Sequence, residues 1–235
     1  MSFHDLAKKG IIPNDHAVQA NAHQRIHDFL DGHEESINRA MDFGCGSGST
    51  VVELMEKYPS IEWIGLDIDE SPEVRKRSSA DPIFYSYDGT HIPFPDAHFD
   101  IVFSYQVLEH VRHPEIVLSE IQRILVPGGY FIGQTSQLEP YHSLSIWNFT
   151  AWGFYLLLEK AGFSLQELRP GIDAITLIFR RARRLKRFFS RYLVKESPGN
   201  SLINAIGWVK RKEPMRINEW KLLFCGQFIF LARKN

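Results

Sequence analysis

Cysteine is scarce in this sequence: its 235 residues include only two, Cys45 and Cys225. Two cysteines do not make the disulfide framework of a small secreted fold, so we expect a reduced, cytoplasmic setting. No stretch of the sequence approaches the length of about 20 apolar residues that a membrane-spanning helix needs. Its first residues also lack a charged-then-apolar export signal. A net charge of −1 singles out no class of partner.

Hydrophobic residues make up 44% of the sequence and charged residues 23%, which is typical of a protein with a full core. The length suits one α/β domain, so we interpret residues 1–235 as a single domain. Composition therefore indicates a globular fold, and only the motifs can indicate its function.

The most informative segment runs from Arg39 to Thr50, where an apolar strand is followed by three alternating glycines: Gly44, Gly46 and Gly48. A helix is predicted to begin just after them. Because glycine has no Cβ, such a turn can be tight, and a ligand can lie directly against its backbone. The free N–H groups at the start of the helix favour an anion. The alternative is a turn that only joins a strand to a helix.

The spacing of these glycines separates two kinds of nucleotide site. A dinucleotide fold requires G-x-G-x-x-G/A, but the third position holds Ser49 or Val51, depending on which glycine comes first. The observed D-x-G-x-G-x-G resembles motif I of the class I S-adenosylmethionine-dependent methyltransferases. In that family the turn passes under the amino-acid end of the cofactor. The resemblance implies that the methionine part faces Asp42, Gly44, Cys45, Gly46 and Gly48.

An acidic residue follows the second predicted strand, Ile61 to Leu66. Asp67 lies 19 positions after Gly48, close to the spacing of about 20 at which a Rossmann-like unit places its ribose-binding acid. A carboxylate can accept hydrogen bonds from both ribose hydroxyl groups. Asp67 is therefore the predicted ribose ligand, and its neighbour Ile68 is assigned to the same site.

The third predicted strand, Ile83 to Tyr87, ends at Asp88 and Gly89. A carboxylate at this tip can accept a hydrogen bond from an exocyclic amino group, and the position resembles the adenine contact of the family. The alternative is an aspartate that only stabilises a turn.

Residues 93–110 are similar to the family signature P-F-x-D-x-x-F-D-x-V-x-x-x-x-x-L-E-H. They include a continuous apolar run that is typical of a buried parallel strand. Ser104 and Tyr105 end that strand and complete the set of predicted cofactor contacts. We interpret Glu109 and His110 as mainly architectural, since this pair occurs in family members with very different acceptors.

The L-x-P-G-G of residues 125–129 is the last of four family motifs between Met41 and Gly133, which come in order at βα spacing. This alternation predicts an α/β fold: a doubly wound, mostly parallel, seven-stranded sheet with its ligand at the carboxyl ends of the strands. The family resemblance implies the Rossmann-like methyltransferase fold. We divide the chain into an N-terminal helical cap (1–38), a cofactor-binding core (39–168), a basic helical insertion (169–221) and a last strand (222–235).

The loop after the fifth strand, residues 134–150, carries an acid, a phenol, an imidazole and an indole. Methyl transfer needs in-line positioning and, for an oxygen acceptor, usually a base. Imidazole titrates near neutral pH, so His142 is the leading candidate for the catalytic base. A surface histidine is the alternative, and His110 and His113 are less favoured bases.

Glu139 could orient the imidazole of His142 or help to bind a metal, but two potential ligands in one loop are too few to predict a metal site. The E-P-Y…F-T pattern of this loop resembles methyltransferases encoded with glycan-assembly and secondary-metabolite enzymes. That resemblance implies a small hydroxylated acceptor, such as a sugar or a secondary metabolite, and O-methylation is favoured over N-methylation.

Between Arg180 and Lys195 the sequence has eight basic residues and no acid. Apolar residues recur on one face of a helix predicted over residues 175–195, which makes it a basic amphipathic helix. It could be a lid or a dimer contact, or it could dock on an anionic membrane or a lipid-linked acceptor. Nucleic acid is the least favoured partner, because no recognised RNA- or DNA-binding module accompanies the charge.

The sequence therefore predicts a class I methyltransferase that uses S-adenosylmethionine and releases S-adenosylhomocysteine. A nicotinamide-dependent (NAD) oxidoreductase is the second reading, and Ser49 disfavours it. A cofactor-binding or membrane-surface module without transfer activity is the third. The identity of the acceptor and the oligomeric state are left open.

Overall fold

The computed structural model describes residues 2–77, 83–181 and 185–235. Its sheet is built from β1 (Arg39–Phe43), β2 (Glu62–Ile68), β3 (Phe84–Tyr87), β4 (Phe99–Tyr105), β5 (Leu125–Ser136), β6 (Phe163–Pro170) and β7 (Gln227–Lys234). The helices are α1 (Phe3–Lys8), α2 (Ala22–Asp31), α3 (Ser49–Lys57), α4 (Pro114–Ile124), α5 (Ala151–Lys160), α6 (Ala174–Arg181), α7 (Lys186–Phe189), α8 (Pro198–Val209) and α9 (Pro214–Phe224). Within these described ranges, no helix combines the length and the apolar character that crossing a membrane requires.

The strand order is β3-β2-β1-β4-β5-β7-β6. The first five strands in this order, β3, β2, β1, β4 and β5, are parallel to one another. In contrast, β7 is antiparallel to both β5 and β6. The winding reverses between β1 and β4, and ligands of doubly wound folds bind at the carboxyl ends of the strands beside such a reversal. The predicted fold class, a doubly wound and mostly parallel seven-stranded sheet, is confirmed.

Each face of this sheet has its own apolar core. On one face α1, α4 and α5 bury side chains such as Leu6, Leu118 and Phe154. On the other face α2 and α3 bury Ile26 and Val51. Since burying one such side chain contributes about 1.5–3 kcal/mol, the two cores hold the strand ends in fixed relative positions. The site at those ends therefore rests on a rigid support.

The last strand begins at Gln227, five residues later than the sequence indicated. The apolar run from Leu222 to Phe224 was assigned to that strand, but it is the final turn of α9, which begins at Pro214. Proline at the first position of a helix costs no hydrogen bond, so it favours a helix start there. The predicted boundary 222–235 of the last strand is therefore wrong at its N-terminal end.

The basic segment is not one continuous helix. The rings of Phe179 and Phe189 stack with centroids 5.6 Å apart, whereas ten residues of a single helix would separate them by about 15 Å along its axis. α6 and α7 are therefore not parts of one continuous helix, and a 3-10 turn continues α7 to Leu193. Ala182, Arg183 and Arg184, which were part of the predicted helix, lie outside the described residues.

The N-terminal segment contains one helix more than the pattern indicated. Within the predicted helical cap (1–38), α2 begins at Ala22, where the Asn21 side chain accepts hydrogen bonds from the N–H groups of the first turn. A separate short helix, α1, precedes it and was not predicted. Its six residues are too few to show a helical period in the sequence.

Candidate active site

A cavity of about 680 Å³ opens at the carboxyl ends of the parallel strands. Eight of the predicted site residues line it: Gly44, Gly46, Asp67, Ile68, Asp88, Gly89, Tyr105 and His142. Its size falls in the range of about 300–1,000 Å³ that is usual for small-molecule sites. No described residue before Gly44 lines it, so α1 and α2 pack against other parts of the fold.

The glycine turn has a backbone that other residues would not readily adopt. Gly44 has φ 78° and Gly48 has φ 83°, both in the left-handed region. A Cβ on Gly44 would lie 2.2 Å from a methyl carbon of Val107, and one on Gly48 would lie 2.3 Å from the ring of Phe84. Both glycines are therefore needed to bring the turn against its neighbours.

Asp67 joins the tip of β2 to this turn. Its Oδ2 atom accepts a hydrogen bond from the Gly46 N–H at 2.7 Å, and its Oδ1 atom accepts one from the Ile68 N–H, also at 2.7 Å. Burial raises the pKa of Asp67, and the two backbone hydrogen bonds oppose that shift. Since each carboxylate oxygen has two lone pairs, both oxygens can still accept a hydrogen bond from a ligand.

Asp88 stabilises a turn and also lines the cavity. One oxygen, Oδ1, accepts hydrogen bonds from the N–H groups of Thr90 and His91 and from the Thr90 hydroxyl, at 2.7–2.8 Å. These hydrogen bonds lower the pKa of Asp88 to about 2, so the side chain is an anion at neutral pH. The turn role and the predicted adenine contact are thus compatible, because Oδ2 remains for a ligand.

Four predicted cofactor contacts do not line the cavity: Asp42, Cys45, Gly48 and Ser104. Asp42 lies beneath the turn, where burial and the nearby Asp67 carboxylate raise its pKa to about 7. Burial also raises the pKa of the Cys45 thiol, to about 12, so this thiol is not a nucleophile at neutral pH. The proposed contacts of these four residues with the cofactor stay predictions.

Arg77 holds the glycine turn from outside, and the sequence pattern did not indicate it. Its Nη2 and Nε atoms lie 2.7 and 3.2 Å from the carbonyl oxygen of Gly46, to which both donate. Its guanidinium group lies 4.3 Å from the ring centre of Phe84, in a cation–π contact. Arg77 ends a short basic run that matches no cofactor motif, so only the folded chain identifies this contact.

Glu109 anchors the loop that follows β5. Its carboxylate is fully buried and accepts hydrogen bonds from Thr135 Oγ1 at 2.9 Å and from Ser136 Oγ at 3.1 Å. Its backbone carbonyl accepts hydrogen bonds from the N–H groups of Ile146 and Trp147 at 2.7 and 3.0 Å. The interpretation of Glu109 as architectural agrees with these contacts, because they hold the loop against β5.

His142 lies between two acidic side chains at the edge of the cavity. Its Nε2 atom is 3.8 Å from Glu109 Oε1, and its Nδ1 atom is 3.7 Å from Glu139 Oε1. The ring of His110 is 5.1 Å away and nearly perpendicular. Ligand atoms of Glu109, His110 and His142 all lie within 4.8 Å of one another, so these three are also the candidates for a cation.

Ser136 lies between the same two carboxyl groups. Its Oγ atom is 3.1 Å from Glu109 Oε1 and 2.8 Å from Glu139 Oε2. A hydroxyl group has one hydrogen, so it can donate to only one of them at a time. Burial, with a smaller contribution from the Glu139 charge, raises the pKa of Glu109 to about 7.

The sequence profile of a family described as a methyltransferase domain matches residues 41–133. This range runs from β1 through β5 and includes the glycine turn, Asp67, Asp88 and Glu109. The matched domain and the glycine turn support a class I S-adenosylmethionine-dependent methyltransferase. The NAD-dependent oxidoreductase reading is set aside by this assignment.

Two curated methyltransferases each resemble part of this chain. An uncharacterised methyltransferase of Schizosaccharomyces pombe is 33% identical over 105 residues, 40% of this chain and 38% of the relative. A fatty-acid O-methyltransferase of Mycolicibacterium smegmatis is 30% identical over 97 residues, 40% of this chain and 35% of the relative. The chain thus spans less than two fifths of the length of these two relatives.

A solved structure resembles the fold of this methyltransferase almost throughout. A S-adenosylmethionine-dependent methyltransferase from Archaeoglobus fulgidus superposes with a TM-score of 0.59 at 18% identity. The superposition covers 90% of this chain and 92% of the other. The whole methyltransferase fold is therefore shared, including the strands that follow the matched domain.

S-adenosylmethionine is the cofactor of this family. Two features of the cavity suit this cofactor. Gly44 and Gly46 line the cavity with backbone that has no Cβ, so a ligand can lie against it. A Cβ at Gly44 would clash with Val107 and disrupt this surface. Asp67 and Asp88 present hydrogen-bond acceptors from adjacent strand tips, as the two ends of an adenosine require.

Several lining residues of the methyltransferase were not predicted from the sequence. They include Glu73, Tyr87, Gln106, Val107, Arg112, Arg180, Arg181, Leu193 and Gln227. Gln106 and Val107 follow β4 directly, so their position at a strand end was a usable signal. Arg180 and Arg181 return to the cavity from beyond β6, and no local pattern indicates that return.

Proposed function

We propose that this protein transfers a methyl group from S-adenosylmethionine to a hydroxyl group of a small acceptor, such as a sugar or a secondary metabolite. The observation that carries the proposal is the placement of His142 in one cavity with the glycine turn and Asp67. A nucleotide cradle and a proton acceptor then face a common space. O-methylation is favoured because a hydroxyl group must lose a proton and a base lies at hand.

In this proposal the glycine turn and the two strand-tip acids hold the cofactor. Gly44 and Gly46 lie against its amino-acid end, Asp67 accepts from the ribose hydroxyl groups, and Asp88 accepts from the adenine amino group. When bound, S-adenosylmethionine supplies an activated methyl group, so the protein needs only to position the acceptor and take its proton.

His142 is proposed to take that proton. The carboxylates of Glu109 and Glu139, 3.8 and 3.7 Å from its ring nitrogens, would stabilise the imidazolium that results. Only 14% of the His142 side chain is exposed, so bulk water competes little for the same nitrogen. General-base assistance of this kind contributes about 10²–10⁴-fold to a rate.

The fatty-acid O-methyltransferase similar to this chain supports oxygen as the acceptor atom. Its similarity covers 97 residues, 40% of this chain. The acceptor class therefore rests on the cavity and on the loop of residues 137–150.

The test is S-adenosylhomocysteine formation from S-adenosylmethionine with panels of hydroxylated sugars, hydroxylated aromatic metabolites and amines. We expect acceptor-dependent product with hydroxylated compounds and not with amines. Retention of intact cofactor with every acceptor would favour the reading of a binding module without transfer activity.

We also propose a peripheral contact with an anionic membrane or a lipid-linked acceptor through residues 175–195. In this segment Ile175, Ile178 and Phe188 are each more than half exposed to solvent. Exposed Lys186 and Arg187 lie in the same segment. Apolar side chains together with basic ones suit an anionic surface better than water.

A further inference from the structure

The cavity carries opposite charge at its two ends. Asp67, Glu73 and Asp88 line it near the tips of β2 and β3. Arg112, which follows β4, and Arg180 and Arg181, at the end of α6, line it toward the other side of the sheet. The proposed cofactor contacts lie at the acidic end. The basic end is therefore left for the acceptor.

Two of the three arginines form no ion pair with another described residue, so their guanidinium groups can bind a ligand. Arg181 donates to Glu139 Oε1 at 3.3 Å and is partly neutralised by it. Among the described residues, Arg180 donates only through Nε, to the Ser190 hydroxyl at 3.3 Å, which leaves its two terminal nitrogens. Arg112 makes no hydrogen bond or ion pair with another residue in the described part of the chain. Glu139 is the one acid that lines this end of the cavity among the described residues.

We propose that Arg112 and Arg180 form an anion subsite that binds a phosphate or carboxylate group of the acceptor. This inference rests on the proposed function, since it places the acceptor in the half of the cavity that the cofactor does not use. Guanidinium groups bind both anions through paired, charge-assisted hydrogen bonds. The acceptor thus carries an anionic group as well as the hydroxyl group that is methylated.

The surroundings of the subsite define the rest of the acceptor. Val111, Leu144 and Leu193 line the same end of the cavity beside the arginines. These side chains give an apolar wall next to a cationic one. A molecule with an anionic head and a short apolar body fits both, whereas an unsubstituted sugar fits neither.

The experiment measures the binding of three soluble probes to the full chain saturated with S-adenosylhomocysteine. Hexyl phosphate, hexanoate and hexan-1-ol share an apolar body and differ in the head group, and ligand-observed NMR or calorimetry gives their affinities. We expect the anions to bind at least about tenfold more tightly than the alcohol, because each charge-assisted contact is stronger than a neutral one. A preference for phosphate or for carboxylate then distinguishes the two head groups.

Variants locate the subsite. Arg112→Gln and Arg180→Gln are each expected to weaken binding of the preferred anion about tenfold and to leave hexan-1-ol unaffected. Arg211→Gln is the matched control, since Arg211 has the same charge, is exposed and does not line the cavity. Binding of S-adenosylhomocysteine in each variant shows that the fold and the cofactor half are intact.

Equal affinity for the anions and the alcohol would overturn the proposal. Anion binding that all three arginine variants weaken equally would also overturn it, because that result indicates a non-specific effect of the protein's positive charge. Anion binding that depends on Arg112 and Arg180 in a protein without transfer activity would support the subsite and reject the proposed function, so the two can fail separately.

Discussion

The Gly46 N–H donates to Asp67 Oδ2 at 2.7 Å, so the glycine turn and the tip of β2 are one unit. The carboxylate holds the turn with the same atoms that we propose to face the ribose. A change at Asp67 should therefore affect both turn and ligand.

Asp67→Ala is expected to lower the affinity for S-adenosylmethionine about 10-fold to 100-fold, because charge-assisted hydrogen bonds contribute about 1.5–3 kcal/mol each. Isothermal titration calorimetry measures the loss. Asp69→Ala is the matched control, since Asp69 is exposed and does not line the cavity. Unchanged affinity in a folded Asp67→Ala protein would rule out the ribose role.

Gly44→Ala is expected to lower the free energy of unfolding by about 2–5 kcal/mol and to impair cofactor binding. The new Cβ would meet the Val107 side chain at 2.2 Å, and the left-handed backbone adds strain. Denaturant unfolding measures the effect. Gly10→Ala is the control, because Gly10 has φ 74° but no atom lies within 4 Å of the added Cβ.

A Gly44→Ala, Val107→Ala double variant separates the two causes. We expect partial recovery of stability, since the smaller side chain at 107 makes room for the methyl group. No recovery would mean that backbone strain at position 44 alone accounts for the loss.

His142→Ala is expected to lower turnover about 10²–10⁴-fold with any acceptor that the protein methylates, while cofactor binding persists. His91→Ala is the control, because His91 is exposed and pairs with Glu120 away from the cavity. The assay is repeated with a chelator, which removes a cation from the group formed by Glu109, His110 and His142. Turnover within a few-fold of the parent would move the base to His110 or His113.

Stability is expected to fall as the pH rises from about 4 to 7, with Asp42 as one cause. The pKa of Asp42 is raised to about 7 in the fold, so the native state holds its proton over a range in which the unfolded chain has lost it. The loss builds up between the two pKa values and reaches at most about 4 kcal/mol above the higher one.

Asp42→Asn should make that pH profile shallower, and the variant should gain on the parent most at pH 8. Denaturant unfolding without cofactor, between pH 4.5 and 8, gives both curves. Asp28→Asn, at an exposed position on α2, serves as the control and should leave the slope unchanged. Parallel curves for Asp42→Asn and the parent would contradict the assignment.

The parent protein is expected to bind vesicles that contain phosphatidylserine and to ignore neutral ones. A basic residue near such a surface contributes about 1 kcal/mol, so Lys186, Arg187 and Lys195 changed together to Gln should weaken binding up to about 100-fold. Co-sedimentation at low and high salt measures it, since salt screens exposed charges.

An equal loss of charge at exposed Lys8, Lys57 and Lys160 is the control for the vesicle experiment. We expect it to leave vesicle binding near the parent level. If the parent ignores anionic vesicles even at low salt, residues 175–195 are a lid or a contact between copies of the chain.

The sequence alone was sufficient to predict that Gly44, Asp67 and Asp88 lie together at one edge of the sheet. Its signals are local: alternating strands and helices, glycines at fixed spacing and acids directly after strands. In a parallel sheet the carboxyl ends of neighbouring strands share one edge, so Gly44, Asp67 and Asp88 had to meet once the strands were identified. Short-range pattern and simple topology were sufficient there.

Only the tertiary structure showed which side chains lie together on the other side of the cavity. Glu109, Glu139 and His142 come together because the turn after β4 contacts the loop after β5, and loop paths leave no period in a sequence. The stacking of Phe179 on Phe189 and the position of Arg180 at the cavity depend on long-range packing in the same way. Likewise, Leu222 to Phe224 have an apolar composition that suits a strand or a helix, and packing of the segment that begins at Pro214 decided for the helix.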